Sequence, residues 1–119
     1  MLVNYYMSLP SPQPNQLDSI FTALAHERRR EIIKALASQP STVGQLSAAY
    51  QVSLPAIHRH IRILEEAGLI QRKKVGRTNF VALNRTGLVA SQMWLGQYHT
   101  YWGSNQETLE NYLTNLSNK

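Results

Sequence analysis

Two predicted short helices with only three residues between them constrain the fold of this chain most strongly. Thr42 followed by Gln45 has the spacing of a capping box, which predicts the start of the first of these helices. The segment Gln51–Ser53 then has room only for a tight turn. Its last residue is a typical N-cap, and Pro55 is tolerated in a first helical turn, so a second helix is predicted over about 54–66. Two helices joined in this way form a helix-turn-helix.

After the second helix, the apolar pattern changes from a helical period to a period of two. Gly68 suits a left-handed cap that ends the helix, and a β-hairpin is predicted over about 70–83 with a turn at Val75–Arg77. The hairpin carries several basic residues. Cations on a hairpin often only protect an edge strand, but beside a helix-turn-helix they also fit a wing that holds nucleic-acid phosphates. The predicted fold class is therefore mainly α with a β-hairpin wing, a winged helix-turn-helix. The cations of the hairpin are Arg72, Lys73, Lys74 and Arg77.

The rest of the sequence divides the chain into three parts. Residues 1–14 contain three alternating prolines and are predicted to be an N-terminal arm that can be disordered. Residues 15–85 are assigned to the winged helix-turn-helix domain, with Asn15 as the cap of its first helix. Residues 86–119 keep a helical period and are assigned to a C-terminal dimerisation helix, with a kink or interruption left open at 103–105.

Positive charge is concentrated where a groove-binding surface would lie. The chain has a formal charge of +5, and six of its twelve basic residues lie between Arg59 and Arg77. A helix with one buried face and one exposed, basic face fits the major groove of DNA, where an arginine reaches the acceptors of guanine. A merely solvated polar face is the alternative. The predicted buried stripe of the second helix consists of Ile57, Ile61 and Leu64. The side chains that point away from this stripe are those of His58, Arg59 and Arg62.

We therefore predict sequence-specific binding to double-stranded DNA and regulation of transcription, most simply by repression. Two other functions stay open at this point. One is a winged-helix module that docks an acidic protein partner, and the other is a regulator that binds a small apolar molecule beside its aromatic last helix. The residues expected to contact DNA are Ser53, Leu54, Ala56, His58, Arg59, Arg62, Lys74 and Arg77.

Three stretches of the sequence resemble a known family. Ala23–Ile33, Ser53–Leu69 and Gly76-Arg77 are similar to the ArsR-type winged-helix repressors, and the resemblance covers about residues 17–116. It implies a homodimer in which the first and last helices pair. It also implies that the second helix of each helix-turn-helix reads one half of an inverted repeat.

The chain departs from the pattern of this family at three positions. Ser is common where this chain has His58, Asp is common where it has His26, and a polar residue is common where it has Leu54. Because the side chain of His58 is expected to face DNA, the presence of His in place of Ser affects which operator sequence is recognised. The change at His26 touches a helix cap and affects stability.

No metal site or cofactor is predicted. The sequence contains no cysteine, so a soft metal would find no thiolate in the helix where the family's thiolate site lies. His58 and His60 are two positions apart and face different sides of a helix, and His99 has no acidic or His neighbour one turn away. The resemblance is to a branch of the family without metal sites.

Aromatic and leucine side chains recur along the first and last helices. Residues of this kind belong to a core or an interface far more often than to a ligand pocket, and a long apolar helix on so small a domain needs a partner surface. The predicted dimer interface consists of Leu17, Phe21, Trp94, Tyr98, Trp102, Leu109 and Leu113.

The sequence contains neither a catalytic motif nor a membrane segment. It has no Gly-rich phosphate loop, and Glu107 and Glu110 near the end, a carboxylate pair on one helix face, are most simply solvated. No apolar run approaches the ~18 residues of a transmembrane helix. We therefore expect a cytoplasmic protein that is not an enzyme, with double-stranded DNA and a second copy of itself as partners.

Overall fold

The computed structural model describes residues 14–98 and 105–117, so most of the predicted N-terminal arm lies outside the described residues. These residues form six helices and three strands, and none of the helices is long and apolar enough to cross a membrane. In chain order the elements are α1 Pro14–Leu24, α2 Glu27–Ser38, β1 Ser41–Thr42, α3 Val43–Tyr50, α4 Leu54–Glu66, β2 Ile70–Val75, β3 Thr78–Leu83, α5 Arg85–Gly96 and α6 Asn105–Ser117.

The helix-turn-helix of α3 and α4 forms because side chains satisfy free backbone groups at the helix ends. The Thr42 hydroxyl accepts a hydrogen bond from Gln45 N, and the Gln45 side chain accepts one from Thr42 N, which confirms the predicted capping box. α3 is followed by Gln51, whose left-handed backbone (φ 52°) turns the chain. The Ser53 hydroxyl then accepts a hydrogen bond from Ala56 N and begins α4, as predicted.

α4 ends in a Schellman motif around Gly68, whose φ is 75°. Leu69 N donates to Leu64 O at 3.0 Å, and Gly68 N donates to Glu65 O at 3.0 Å, so two carbonyls at the end of the helix are satisfied. The chain folds back so that Leu69 is fully buried. This geometry confirms the predicted glycine cap and sets the direction in which the chain enters β2.

The three strands form one antiparallel sheet in the order β1-β3-β2. β2 and β3 pair from Ile70 opposite Leu83 to Val75 opposite Thr78, and they form the hairpin that we call the wing. β1 adds a third strand beside β3. It was not predicted, because two residues, one of them the helix cap itself, carry no strand pattern of their own.

The hydrophobic core lies between the helices and the inner face of the sheet. α4 packs against α1, α2, α3 and β2, so one face of this helix is fixed while the other faces solvent. Each fully buried Leu or Ile side chain contributes about 1.5–3 kcal/mol of transfer free energy. The largest fully buried side chains are Ile20, Ile32, Ile57, Ile61, Leu64, Leu69, Ile70 and Val81.

Two helix boundaries differ from those predicted. α1 begins at Pro14, so this residue belongs to the helix instead of the arm, and Asn15 lies in the first turn instead of capping it. Proline suits this position because its missing N–H would be unpaired there. The C-terminal helix was expected to continue to an interruption at 103–105, but α5 ends at Gly96 and α6 begins at Asn105. Glycine costs about 1 kcal/mol relative to alanine in a helix, which favours the earlier end.

Candidate nucleic-acid interface

Two arginines of α2 have structural roles at the end of α1. Arg29 Nε donates to Ala23 O at 2.7 Å, and Arg30 Nη1 donates to Leu24 O at 2.8 Å. The last carbonyls of a helix have no partner within the helix, so these guanidinium groups satisfy acceptors that would otherwise need water. The two cations therefore hold α1 against α2.

The arginines of α4, unlike those of α2, have no such contacts. The third arginine of α2, Arg28, forms an ion pair with Glu31 at 2.8 Å and lies over the ring of Tyr50. Among the described residues, by contrast, no hydrogen bond or ion pair engages the guanidinium groups of Arg59 and Arg62, and both residues are exposed. They lie on the solvent face of α4, opposite its buried stripe. Two unpaired arginines on an exposed helix face fit the phosphates and guanine acceptors of a duplex.

A groove of about 320 Å³ runs beside the first turns of α4. From α4 it is lined by Leu54, which is 51% exposed, and by His58. Apart from Arg77, its other lining residues were not predicted as site residues. The lining residues from the wing and from the start of α3 are Arg77, Thr78, Asn79, Thr42, Val43 and Gly44.

The wing presents cations on the side of this groove. Lys74 and Arg77 are exposed, and Lys74 lies opposite Asn79 across the hairpin. Asn79 lines the groove and is half-buried. It could have been found in the sequence, because it lies two positions from the buried Val81 and therefore on the inner face of the strand.

Arg72 does not belong with the free cations of the wing, although it lies next to them in the sequence. Its Nη2 atom pairs with Glu65 Oε1 at 2.9 Å, and its Nη1 atom lies 3.5 Å from His58 Nδ1. The side chains of Arg72 and Glu65 are 25% and 37% exposed. Arg72 therefore links the wing to α4 through two side chains of that helix.

The remaining residues predicted to contact DNA lie at the start of α4. Ser53 and Leu54 are exposed, and Ala56 is half-buried with its N–H bonded to the Ser53 hydroxyl at 3.3 Å. The positive end of the helix dipole lies here, which favours an anion such as a phosphate. That these residues contact DNA stays a prediction.

His60 lies on α4 between the ring of His26 and the guanidinium group of Arg29. The two imidazole centroids are 4.8 Å apart, and Arg29 Nη1 lies 3.3 Å from His60 Nδ1. Burial, followed by the nearby charges of His26, Arg29, Arg28 and Arg59, lowers the pKa of His60 below its ordinary value of 6.5. His26 also caps α2, because its Nδ1 accepts a hydrogen bond from Arg28 N at 3.1 Å.

Acid is expected to destabilise the folded chain through His60. Because its pKa is lowered in the folded state, the unfolded chain binds more protons as the pH falls through 6.5, so the free energy of unfolding decreases below that pH. Above it, the ring is neutral in both states and contributes no pH dependence. Urea unfolding at about pH 7.5 and about pH 5.5 measures the difference. His60→Gln should reduce this difference. An undiminished difference in His60→Gln would show that other groups cause the loss.

The aromatic residues predicted for a dimer interface form a cluster on α1, on α5 and at Tyr98, just after the end of α5. Phe21 packs edge-on against Trp94 with centroids 5.7 Å apart, and Trp94 packs against Tyr98 at 5.0 Å. Phe21 and Trp94 are half-buried, as is Leu17, whereas Tyr98 is 66% exposed. Of the other predicted interface residues, Leu109 and Leu113 are exposed on α6, and Trp102 lies outside the described residues.

Metal ligands do not cluster in residues 14–98 and 105–117. No group of three His, Asp or Glu side chains in these ranges lies close enough to hold a metal ion. His99, which could form a site only with ligands from another subunit, lies outside the described residues. That the chain carries no metal stays a prediction.

The α3–α4 pair, the hairpin that follows it and the exposed basic face of α4 define a winged helix-turn-helix regulator of transcription. A sequence profile described as "Bacterial regulatory protein, arsR family" matches residues 26–72. An HTH-type transcriptional regulator of Mycobacterium tuberculosis is 35% identical over 83 residues, which cover 70% of this chain and 78% of that protein. The chain belongs to the arsR family of bacterial regulatory proteins.

Two further similarities support the same assignment. The transcriptional repressor SdpR of Bacillus subtilis is 29% identical over 79 residues, covering 66% of this chain and 88% of that protein. A crystal structure of an ArsR family transcriptional regulator is similar with a TM-score of 0.69 at 34% identity, and the match covers 74% of this chain and 91% of that one. The predicted fold class and the resemblance stated from the sequence are confirmed.

Proposed function

We propose that this protein binds an inverted repeat in double-stranded DNA as a homodimer and represses transcription by occupying a promoter. The observation that carries the proposal is the division of the arginines into two groups. Arg29 and Arg30 are bonded to the carbonyls of α1, whereas Arg59 and Arg62 are exposed without such bonds. Free cations on the exposed face of a helix-turn-helix are what major-groove binding requires.

Each part of the basic surface has its own role in this proposal. Arg59, Arg62 and His58 contact bases or adjacent phosphates from the middle of α4, and the residues at its start approach the backbone. Lys74 and Arg77 hold phosphates from the wing, where contacts strengthen binding to every sequence alike. The residues proposed at the start of α4 are Ser53, Leu54 and Ala56.

The dimer in this proposal forms through α1 and the C-terminal helices. The support for it is an aromatic cluster that one chain leaves partly exposed, with Tyr98 at 66%, and a helix α6 whose apolar residues are exposed. A two-fold axis between two copies of α4 matches the symmetry of an inverted repeat. The proposed assignments to this interface are Leu17, Phe21, Trp94, Tyr98, Trp102, Leu109 and Leu113.

The proposed activity is binding and not catalysis, and it would take place in the cytoplasm, where bacterial promoters lie. Repression follows from geometry, since a dimer that covers a promoter excludes the polymerase from the same DNA. SdpR, which is 29% identical to this chain, is named as a transcriptional repressor. A reporter gene placed behind the bound sequence measures the direction of regulation, and a rise in transcription on expression of the protein would contradict repression.

The experiment that tests DNA recognition is selection of bound duplexes from a randomised pool at near-physiological salt. It compares the wild type with Arg59→Ala/Arg62→Ala. Each residue that pairs with a base is worth about 1–3 kcal/mol of discrimination, so the double variant should lose the selected sequence. The matched control is Lys34→Ala/Arg85→Ala, which removes the same charge from two exposed residues on α2 and α5.

We expect the wild type and the control to select the same inverted repeat, while the α4 variant selects none. Equal losses in both double variants would mean that net charge, and not base contact by α4, supports binding. If the wild type itself selects no sequence, the proposal is wrong, and docking of an acidic protein partner by the basic face becomes the leading hypothesis.

A further inference from the structure

The side chain of Arg72 lies between two residues of α4 and contacts both. Its Nη2 atom donates to Glu65 Oε1 at 2.9 Å, and its Nη1 atom faces His58 Nδ1 at 3.5 Å. Glu65 and His58 are seven positions apart, which places them two turns apart on the same side of the helix. Arg72 is therefore anchored by the carboxylate and directed at the imidazole.

This contact selects one of the two neutral forms of the imidazole. A guanidinium group has only donors, so the ring nitrogen that faces it is favoured as an acceptor. With Nδ1 as the acceptor, the ring proton of neutral His58 is on Nε2. Even at 3.5 Å, an N–H group on Nδ1 would point at another N–H group and at a positive charge.

The His58 side chain lines the groove beside α4, and its other ring nitrogen is Nε2. Leu54 and Asn79 line the same groove, and within the described residues Nε2 has no hydrogen-bond partner. His58 thus offers a single N–H donor at the surface where, under the proposed function, the major groove of DNA would lie.

We propose that Arg72, anchored by Glu65, fixes His58 as the form protonated at Nε2, so that His58 donates to a guanine in each half of the inverted repeat. The proposal rests on the proposed function and adds a base and a positioning residue to it. Guanine presents two acceptors, O6 and N7, on its own major-groove edge and no donor. Adenine places an amino group next to its N7, cytosine presents a donor, and thymine presents a single acceptor, O4, beside a methyl group. The opposite form of His58 would accept, and it would favour cytosine or adenine.

The first test examines the ring in the DNA-free protein. Nitrogen-15 NMR of the imidazole in the full chain distinguishes a protonated Nε2 from a protonated Nδ1. We expect Nε2 to carry the proton in the wild type, and we expect the Nδ1-protonated fraction to rise in Arg72→Met. A wild-type ring protonated at Nδ1 overturns the proposal.

The second test measures base preference. Comparison of the sequences selected by the wild type and by His58→Ala locates the base pair that depends on residue 58. The affinities for all four base pairs at that position are then measured for the wild type, Arg72→Met, His58→Ala and the two changes combined. Lys73→Met is the control, because it removes the same charge from an exposed neighbour on β2 that does not contact His58.

We expect the wild type to prefer guanine at this position by roughly two- to tenfold, the range that one hydrogen bond gives. Arg72→Met should lose most of this preference, and adding Arg72→Met to His58→Ala should change it no further. Lys73→Met should weaken binding to all four sequences alike. A loss of affinity without a loss of preference in Arg72→Met would overturn its positioning role.

Failure of this proposal can be distinguished from failure of the proposed function. A preference for any base other than guanine, or a selected site that does not change in His58→Ala, overturns only the role of His58. If the wild type selects no sequence at all, DNA recognition and the base contact are overturned together.

Discussion

Gly87→Ala is expected to lower the free energy of unfolding by about 3 kcal/mol, the upper part of the range for overpacking in a rigid site. A Cβ atom at this position would lie 2.6 Å from Gly68 O and 2.8 Å from Gly68 C. Both are backbone atoms, so no side chain can turn away to make room. Gly87 N also donates to Gly68 O at 2.8 Å, and relief of the clash would stretch this buried hydrogen bond. Urea unfolding at one fixed protein concentration measures the loss.

Gly96→Ala is the matched control for this substitution, because the residue lies at the other end of the same helix. A Cβ atom at Gly96 would have no heavy atom within 4 Å, and its φ is not positive. Alanine there should leave stability unchanged or raise it by up to about 1 kcal/mol, since it reduces the entropy of the unfolded chain. If Gly87→Ala were as stable as Gly96→Ala, the close packing of α5 on the end of α4 would be wrong.

This contact has a functional consequence, because it joins α5 to α4. Gly87 N bonds to Gly68 O, and Asn84 N bonds to Leu69 O at 2.9 Å. The start of α5 is therefore fixed to the turn that ends α4. If α5 forms part of the dimer interface, as proposed, the two copies of α4 are held at a distance set by rigid contacts and not by a flexible linker.

Features that depend on residues close in the chain could be predicted from the sequence. The capping box at Thr42, the cap at Ser53 and the glycine at Gly68 each act within a few residues. The apolar stripe of α4 follows from the helical period alone, and so does the exposure of Arg59 and Arg62. These local signals were enough to place the helix-turn-helix and the wing.

Features that depend on residues distant in the chain could not be predicted. β1 exists only because Ser41 pairs with Val81, and neither position indicates the other. In the sequence, Arg29 and Arg30 cannot be distinguished from residues of a basic patch. Only the folded chain brings them to the carbonyls of α1.

The residues of the candidate site were likewise predicted only in part. Residues on α4 were found. The residues of 42–44 were missed because three elements meet to form the groove, and Asn79 was missed although its spacing from Val81 indicates the inner face of the strand. Arg72 was counted with the cations of the wing because charge in a sequence carries no information about partners. Its ion pair with Glu65 changes its expected effect from phosphate binding to the positioning of His58.

Tyr98→Glu is expected to convert a dimer into monomers and to lower affinity for an inverted repeat on the order of a hundredfold. Tyr98 is 66% exposed and contacts Trp94 with centroids 5.0 Å apart, so a single chain loses little packing when it is replaced. At an interface between two copies, however, the change would bury one carboxylate from each copy near the two-fold axis. Unpaired buried charges are strongly unfavourable. Sedimentation equilibrium compares the mass with the 13.5 kDa of one chain.

Ala37→Glu separates the effect of this interface from the effect of one added negative charge, since Ala37 is exposed on α2, away from the proposed dimer surface. We expect the wild type and Ala37→Glu to sediment with twice the chain mass and Tyr98→Glu to sediment with the mass of one chain. The far-ultraviolet circular dichroism of all three should match, which would show that the monomer is folded. A monomeric wild type at micromolar concentration would contradict the proposed homodimer. If Tyr98→Glu sedimented as a dimer, the two copies would meet on a surface other than the aromatic cluster of α1 and α5.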